Sequence, residues 1–316
     1  MGRHGTVGLF ASLAALWGFS FVATRAAVQH VPPVLLAALR FDVAGLVVLG
    51  FAAVTADRWR PQTRADWIVV GLGGVFFVTA HHALLFAGQQ YVSSAVAGVV
   101  ISLDPVLAAA FAAALLPDES VSFPDVVGFG FGVLGVGVIA NPDPNRLLSA
   151  DARGVTLVFL SAAAFALGAV LTRRFRTEPG RSTDLPVRSM QAWMMLLGAP
   201  LLHVLSVALP GESFAAAEWT PEAMLGLGYL ALVAGGVGYL LYFALLDRLG
   251  PVEINLVGYV APAFAALGGW VVLGERLAPT TVVGFCSVVA GFALLERDAL
   301  RTELGRLREA GASRRE

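Results

Sequence analysis

Lysine is missing from this sequence: all 21 basic residues are arginine. The Gly-rich phosphate loop of nucleotide hydrolases ends in Lys-Ser/Thr, and no such loop is present, which argues against an ATP-driven pump. Cysteine is nearly absent, with Cys286 alone, so there is no disulfide framework and no thiolate metal site. No His-Glu-x-x-His array occurs, and His81 and His82 lack the companions of a zinc site. Charge is scarce at 14% of residues, against roughly 25% in soluble domains.

Apolar residues fill the space, at 57% of the chain and a mean hydropathy of +0.77. They arrive in blocks of bilayer-crossing length, roughly 20 residues each. The blocks predict spans at 6–28, 33–54, 67–88, 92–116, 123–140, 154–172, 187–208, 224–246, 252–273 and 279–295. Punctuators such as Pro32-Pro33, Pro61, Pro117, Asn141-Pro142 and Pro210-Gly211 separate them. The first block, Thr6 to Ala27, carries no cleavage site and reads as an anchor rather than a signal peptide.

The arginines set the expected orientation. With the amino terminus inside, 16 of the 21 fall on the cytoplasmic side, leaving Arg146, Arg153 and Arg276 outside and Arg25 and Arg40 within spans. That is the excess expected of cytoplasmic loops. Both termini are therefore expected in the cytoplasm, on a multi-pass protein of the cell membrane. Beyond Phe292, Leu300, Leu304 and Leu307 recur at helical spacing among alternating charges, which predicts a cytoplasmic helical tail.

The chain repeats itself. Val126–Phe129 and Val282–Phe285 both read VVGF, and Gly135 and Gly291 each follow the glycine of that motif by seven residues. Upstream, Pro105 and Pro262 occupy matching spans, Glu119 and Glu275 follow them, and Thr24-Arg25 matches Thr172-Arg173. Five helices are used twice, and because five is odd the second copy enters the membrane upside down. The expected fold is an all-α membrane protein of ten transmembrane helices in two inverted five-helix repeats. Residues 1–140 form the first repeat, 141–153 a connecting loop, 154–295 the second repeat and 296–316 the tail.

The segments LWGFSFVATR (16–25), LAALRF (36–41), LDPVLAAAFAAALLPDE (103–119) and GPVEINLVGYVAPAFAALGGWVVLGERL (250–277) resemble the EamA-type drug/metabolite transporters over nearly the whole chain. The resemblance implies a small-molecule substrate crossing through a central cavity by alternating access. It implies no cofactor and no nucleic-acid partner, and leaves the oligomeric state open. Asp104, directly before Pro105, and the His81-His82 pair depart from the generic pattern.

Ionisable groups inside a bilayer are costly, at roughly 2.5–3.5 kcal/mol near a helix centre, so each needs a partner, water or a task. Asp104, His81 and His82 are expected near the midplane, on antiparallel neighbouring helices, where a carboxylate and an imidazole can share a proton. The alternative is a structural hydrogen bond at Asp104. His82 shares a stripe with Thr79, Phe86 and Gln89 and is favoured for the cavity. Arg40 and Asp42 cannot face each other at their spacing; Arg40 is either a gating or packing ion pair or a direct substrate contact. Arg25 can snorkel to the interface.

Further candidates are Trp17 with Ser20, Tyr239 with Tyr242, and Asn255 with Tyr259, each pair on one helix face. The resemblance places their helices around the cavity, where they would stack on and hydrogen-bond an amphipathic solute; interfacial anchoring or packing is the alternative. Pro105 and Pro262 are hinge candidates because each removes a backbone hydrogen bond. Glu119 and Glu275, at span ends, suit capping. The leading expectation is a metabolite exporter, for example of an amino acid, driven by protons. Uptake or exchange without protons, an integral-membrane enzyme and a scaffold are the competing classes.

Overall fold

The computed structural model describes residues 3–116, 122–140, 150–177, 183–295 and 297. Among these the chain is helical throughout, without strands. The helices are α1 (Arg3–Ala27), α2 (Pro33–Thr55), α3 (Arg64–Gln89), α4 (Ser94–Leu115), α5 (Phe123–Ala140), α6 (Ala150–Thr177), α7 (Val187–Ala208) and α8 (Pro221–Leu249). They continue with α9, in two segments Pro251–Asn255 and Val257–Leu273, and α10 (Pro279–Leu295). Nine are apolar helices long enough to cross a bilayer, and α10 is a shorter apolar helix of 17 residues. Each corresponds to one of the ten expected spans. Glu119, most of the 141–153 loop and the expected tail lie outside the described residues, apart from 150–153 and Arg297.

Local chemistry explains the helix ends. Thr63 accepts from the Asp66 amide at 3.1 Å while the Asp66 carboxylate accepts from the Thr63 amide at 2.9 Å, a capping box that starts α3. Thr220 caps α8 at the Ala223 amide, with Pro221 in the first turn, where its missing N–H costs nothing. Gly250, at φ 87°, turns the chain from α8 into α9 in a conformation that glycine adopts most readily.

The packing has the symmetry that the repeat implies. α2 packs on α7, α5 on α10 and α4 on α9, while α1 against α9 is matched by α6 against α4, and α3 against α6 by α8 against α1. Two wide-turn π segments, Gly74–Ala80 in α3 and Tyr229–Val237 in α8, also fall in corresponding helices. The α4–α9 crossing is close because Gly98 leaves room: a Cβ there would lie 3.3 Å from both Pro262 and Ala265.

The two ends of the bundle are tied by polar contacts. At the end remote from the start of α1, Arg25 donates to the Gln89 and Gln90 carbonyls at 2.8 and 2.7 Å and approaches Glu275 at 4.0 Å. Glu275 accepts from the Ser94 amide, capping α4 as its position at a span end suggests. At the same end Glu212 accepts from the Val34 and Leu35 amides at the start of α2. At the other end Asp66, fully buried, accepts from Arg58 and Thr183, and Arg297 ties Asp125 at 2.7 Å. Arg25 thus ties the end of α3 to Glu275, the residue that caps α4, rather than only snorkelling.

Candidate functional site

An aromatic group lies inside the bundle where α1 meets α8. The Trp17 ring lies 5.7 Å from Tyr239 and 5.5 Å from Tyr242, and the two tyrosine rings are 6.3 Å apart. The approach is possible because Gly238 has no side chain: a Cβ there would meet the Trp17 indole nitrogen at 2.9 Å. That nitrogen points at the Ala234 carbonyl at 3.4 Å. Neither tyrosine hydroxyl hydrogen-bonds any described residue. Tyr242 therefore joins the group rather than anchoring at the interface by itself.

Tyr239 is within electrostatic reach of Arg40 on α2, which in turn interacts with His81 and His82 on α3. Arg40 is 6% exposed, with its guanidinium 4.9 Å from the Phe41 ring centre and 5.8 Å from that of Phe86. The same two rings flank His82, at 4.5 and 5.9 Å, so arginine and imidazole share an aromatic wall. The stripe of His82 with Phe86 is thus present, and Gln89 on that stripe is fully buried and donates to the Phe21 carbonyl at 2.9 Å.

The two histidines look to different helices, as their spacing requires. His81 Nδ1 lies 2.9 Å from Ser161 Oγ and 3.1 Å from the Ser161 carbonyl on α6. His82 Nδ1 lies 3.0 Å from the Phe77 carbonyl of the π segment, which selects the tautomer donating from Nδ1. Asp104 hydrogen-bonds neither of them. The expectation that α3 and α4 run side by side does not hold: they meet mainly near their connecting turn, while α6 packs along both. Asp104 stands where α4 breaks, between Ser94–Ile101 and Asp104–Leu115, about 15 Å from the far end, whereas His82 is about 10 Å from it at 1.5 Å per residue. Its Oδ1 is buried and accepts no hydrogen bond from any described residue.

The remaining candidates divide. Ser20 donates to the Trp17 carbonyl at 2.6 Å, within its own helix. Tyr259 packs its ring 4.3 Å from Phe292 on α10, away from the Trp17 group, and Asn255 is exposed at the end of the short first segment of α9. Pro105 coincides with the α4 break; Pro262 sits inside the continuous second segment of α9, buried against α4.

Three polar arrangements were not among the expectations. Asp42 and His203 form a half-exposed pair at 2.8 Å across α2 and α7, Glu212 caps α2 from the α7–α8 loop, and Asp66 gathers Arg58 and Thr183. Only Asp66 left a sequence signal, the Thr63-x-x-Asp66 box.

The family model described as "EamA-like transporter family" matches residues 6–141 and again 152–297, once for each five-helix half. A transporter of Archaeoglobus fulgidus, named as uncharacterized, is 26% identical over 89% of this chain and 95% of its own length. The inner membrane transporter YedA of Escherichia coli is 26% identical over 85% of this chain and 84% of its length. A probable terminal-alkyne amino-acid exporter of Streptantibioticus cattleyicolor is 28% identical over 93% of both. A solved crystal structure superposes with a TM-score of 0.62 over 96% of this chain and all of the other, at 23% identity, which bears on the fold alone. This multi-pass membrane protein, with its two matched halves, belongs to the EamA-like transporter family.

Proposed function

We propose that the protein is a secondary transporter of the cell membrane, with both termini in the cytoplasm, that exports a small metabolite such as an amino acid by alternating access coupled to protons. The observation that carries this reading is the aromatic and cationic group inside the bundle, Trp17, Tyr239, Tyr242, Arg40 and His82, contributed by α1, α2, α3 and α8 from both halves of the chain. A site shared by two inverted halves is what alternating access requires, since each half can rock while the ligand stays in place. The amino-acid class is supported by the relative named as an amino-acid exporter. The 16 arginines assigned to the side of the amino terminus support the orientation.

Proton coupling is assigned to Asp104, whose buried Oδ1 has no hydrogen-bond partner among the described residues. A carboxyl group there can bind a proton in one state and release it in another without dismantling a salt bridge. A scaffold has no need of that group. The test is an untargeted metabolite comparison of overexpressing and deletion cells, followed by transport of the compounds that differ in reconstituted liposomes. Unchanged metabolite pools together with no flux in liposomes would sink the transport reading.

A further inference from the structure

We propose that Arg40 anchors the anionic end of the transported solute, so that the cargo is a carboxylate-bearing amphipathic molecule; the proposal rests on the transport reading above. Arg40 is 6% exposed and lies within the span of α2, yet it makes no hydrogen bond or salt bridge to any described residue, and its Nε is buried without a partner. A buried guanidinium without a counter-charge is a costly feature to keep for packing alone. The carboxylate nearest in sequence, Asp42, is held by His203 at 2.8 Å. His81 and His82 direct their Nδ1 atoms at carbonyl oxygens, and an imidazole, neutral or protonated, offers the arginine no negative charge.

What surrounds Arg40 is a set of donors and rings. Tyr239, within electrostatic reach, has a hydroxyl with no partner among the described residues, and Phe41 and Phe86 wall the guanidinium. A planar guanidinium presents two parallel N–H groups that match the two oxygens of a carboxylate, and the phenol adds a third donor. One cation suits a monoanion better than a phosphate dianion. Tyr239 also belongs to the Trp17–Tyr242 group, which offers aromatic surface to an apolar body attached to that carboxylate.

The test uses the full chain purified in detergent and three probes of one skeleton, 3-phenylpropionate, its primary amide and 3-phenylpropylamine. Wild type is expected to bind the carboxylate about tenfold more tightly than the amide, with the amine weakest. Arg40→Gln should erase the preference, and Arg40→Lys should keep part of it. Without ligand, the thermal midpoint of Arg40→Met should equal or exceed that of wild type, because an unpaired buried charge does not hold the fold together. Equal or better binding of the amide or the amine, no binding of any probe at millimolar concentration, or a lowered Arg40→Met midpoint with the carboxylate preference intact would each overturn the anchor. If the anchor fails while cargo from the metabolite comparison still moves in liposomes, the transport reading stands; absence of any flux removes that reading instead.

Discussion

Gly128 on α5 and Gly291 on α10 meet backbone to backbone: a Cβ on Gly128 would lie 2.8 Å from the Gly291 carbonyl oxygen, and one on Gly291 would lie 2.6 Å from that of Gly128. Gly135 and Gly284 repeat the relationship at 2.7 Å in both directions. In the sequence repeat, Gly128 corresponds to Gly284 and Gly135 to Gly291. Exchanging the two halves therefore turns each contact into the other, which is the signature of a two-fold axis between the halves.

This crossing predicts an asymmetry among glycines of one helix. Gly135→Leu should lower stability by about 1–3 kcal/mol through overpacking. Gly130 and Gly137, where a Cβ meets nothing within 4 Å, should accept alanine with no loss. Thermal unfolding monitored by size-exclusion chromatography reads both; equal effects at Gly135 and Gly130 would contradict the packing.

The proposed orientation predicts the reactivity of introduced cysteines. In a Cys286→Ala background, cysteines at the exposed Asp184 and Asp57 should be labelled by an impermeant maleimide only after the membrane is opened, and one at the exposed Phe214 in intact cells. Labelling of the first two from outside would invert the topology.

Glu212 lies in the α7–α8 loop, where burial pushes its carboxyl up from its ordinary value of 4.5, while the Val34 and Leu35 amides act in the opposite sense. A raised acid contributes stability that is complete below the ordinary value and lost as the pH rises through its own. The thermal midpoint of wild type should therefore step down as the pH increases above about 4.5, and Glu212→Gln should lack that step. Glu212→Ala, which leaves two buried amides unpaired, should cost about 1–3 kcal/mol.

Within the aromatic group, Trp17→Ala or Tyr239→Ala should raise the half-saturating cargo concentration roughly three- to tenfold, from ring contacts worth about 0.5–1.5 kcal/mol. Tyr259→Phe, at a ring packed on Phe292, should change it little. Concentration-dependent counterflow measures the contrast, and an equal effect at Tyr259 would place the ligand elsewhere.

Much of this arrangement was legible in the chain. The VVGF motifs marked α5 and α10 as counterparts in the repeat, the stripe of His82 with Phe86 is present, and Glu275 was legible as a capping residue, though not that the helix it caps is α4. Contacts between segments distant in sequence were not legible. Nothing near Asp42 points to His203, 161 residues away. The pairing of Asp104 with a histidine assumed that helices joined by a short turn lie side by side, but α6 packs along both. The π segments ahead of His81 and Gly238 have no marked composition, yet they rotate the residues that follow. That Arg40 has no hydrogen-bonding or ionic partner among the described residues is a property of all its neighbours at once, and no spacing rule can state it.

The most direct measurement of the central claim is transport in liposomes by wild type and Asp104→Asn, with the cargo found by metabolite comparison, under an imposed pH gradient and at equilibrium. The amide keeps hydrogen-bonding capacity but cannot release a proton. Asp104→Asn should exchange cargo at a rate near that of wild type while losing gradient-driven accumulation, and His82→Gln should shift the pH optimum more than the leak. Full accumulation by Asp104→Asn against a gradient would contradict proton coupling through this residue.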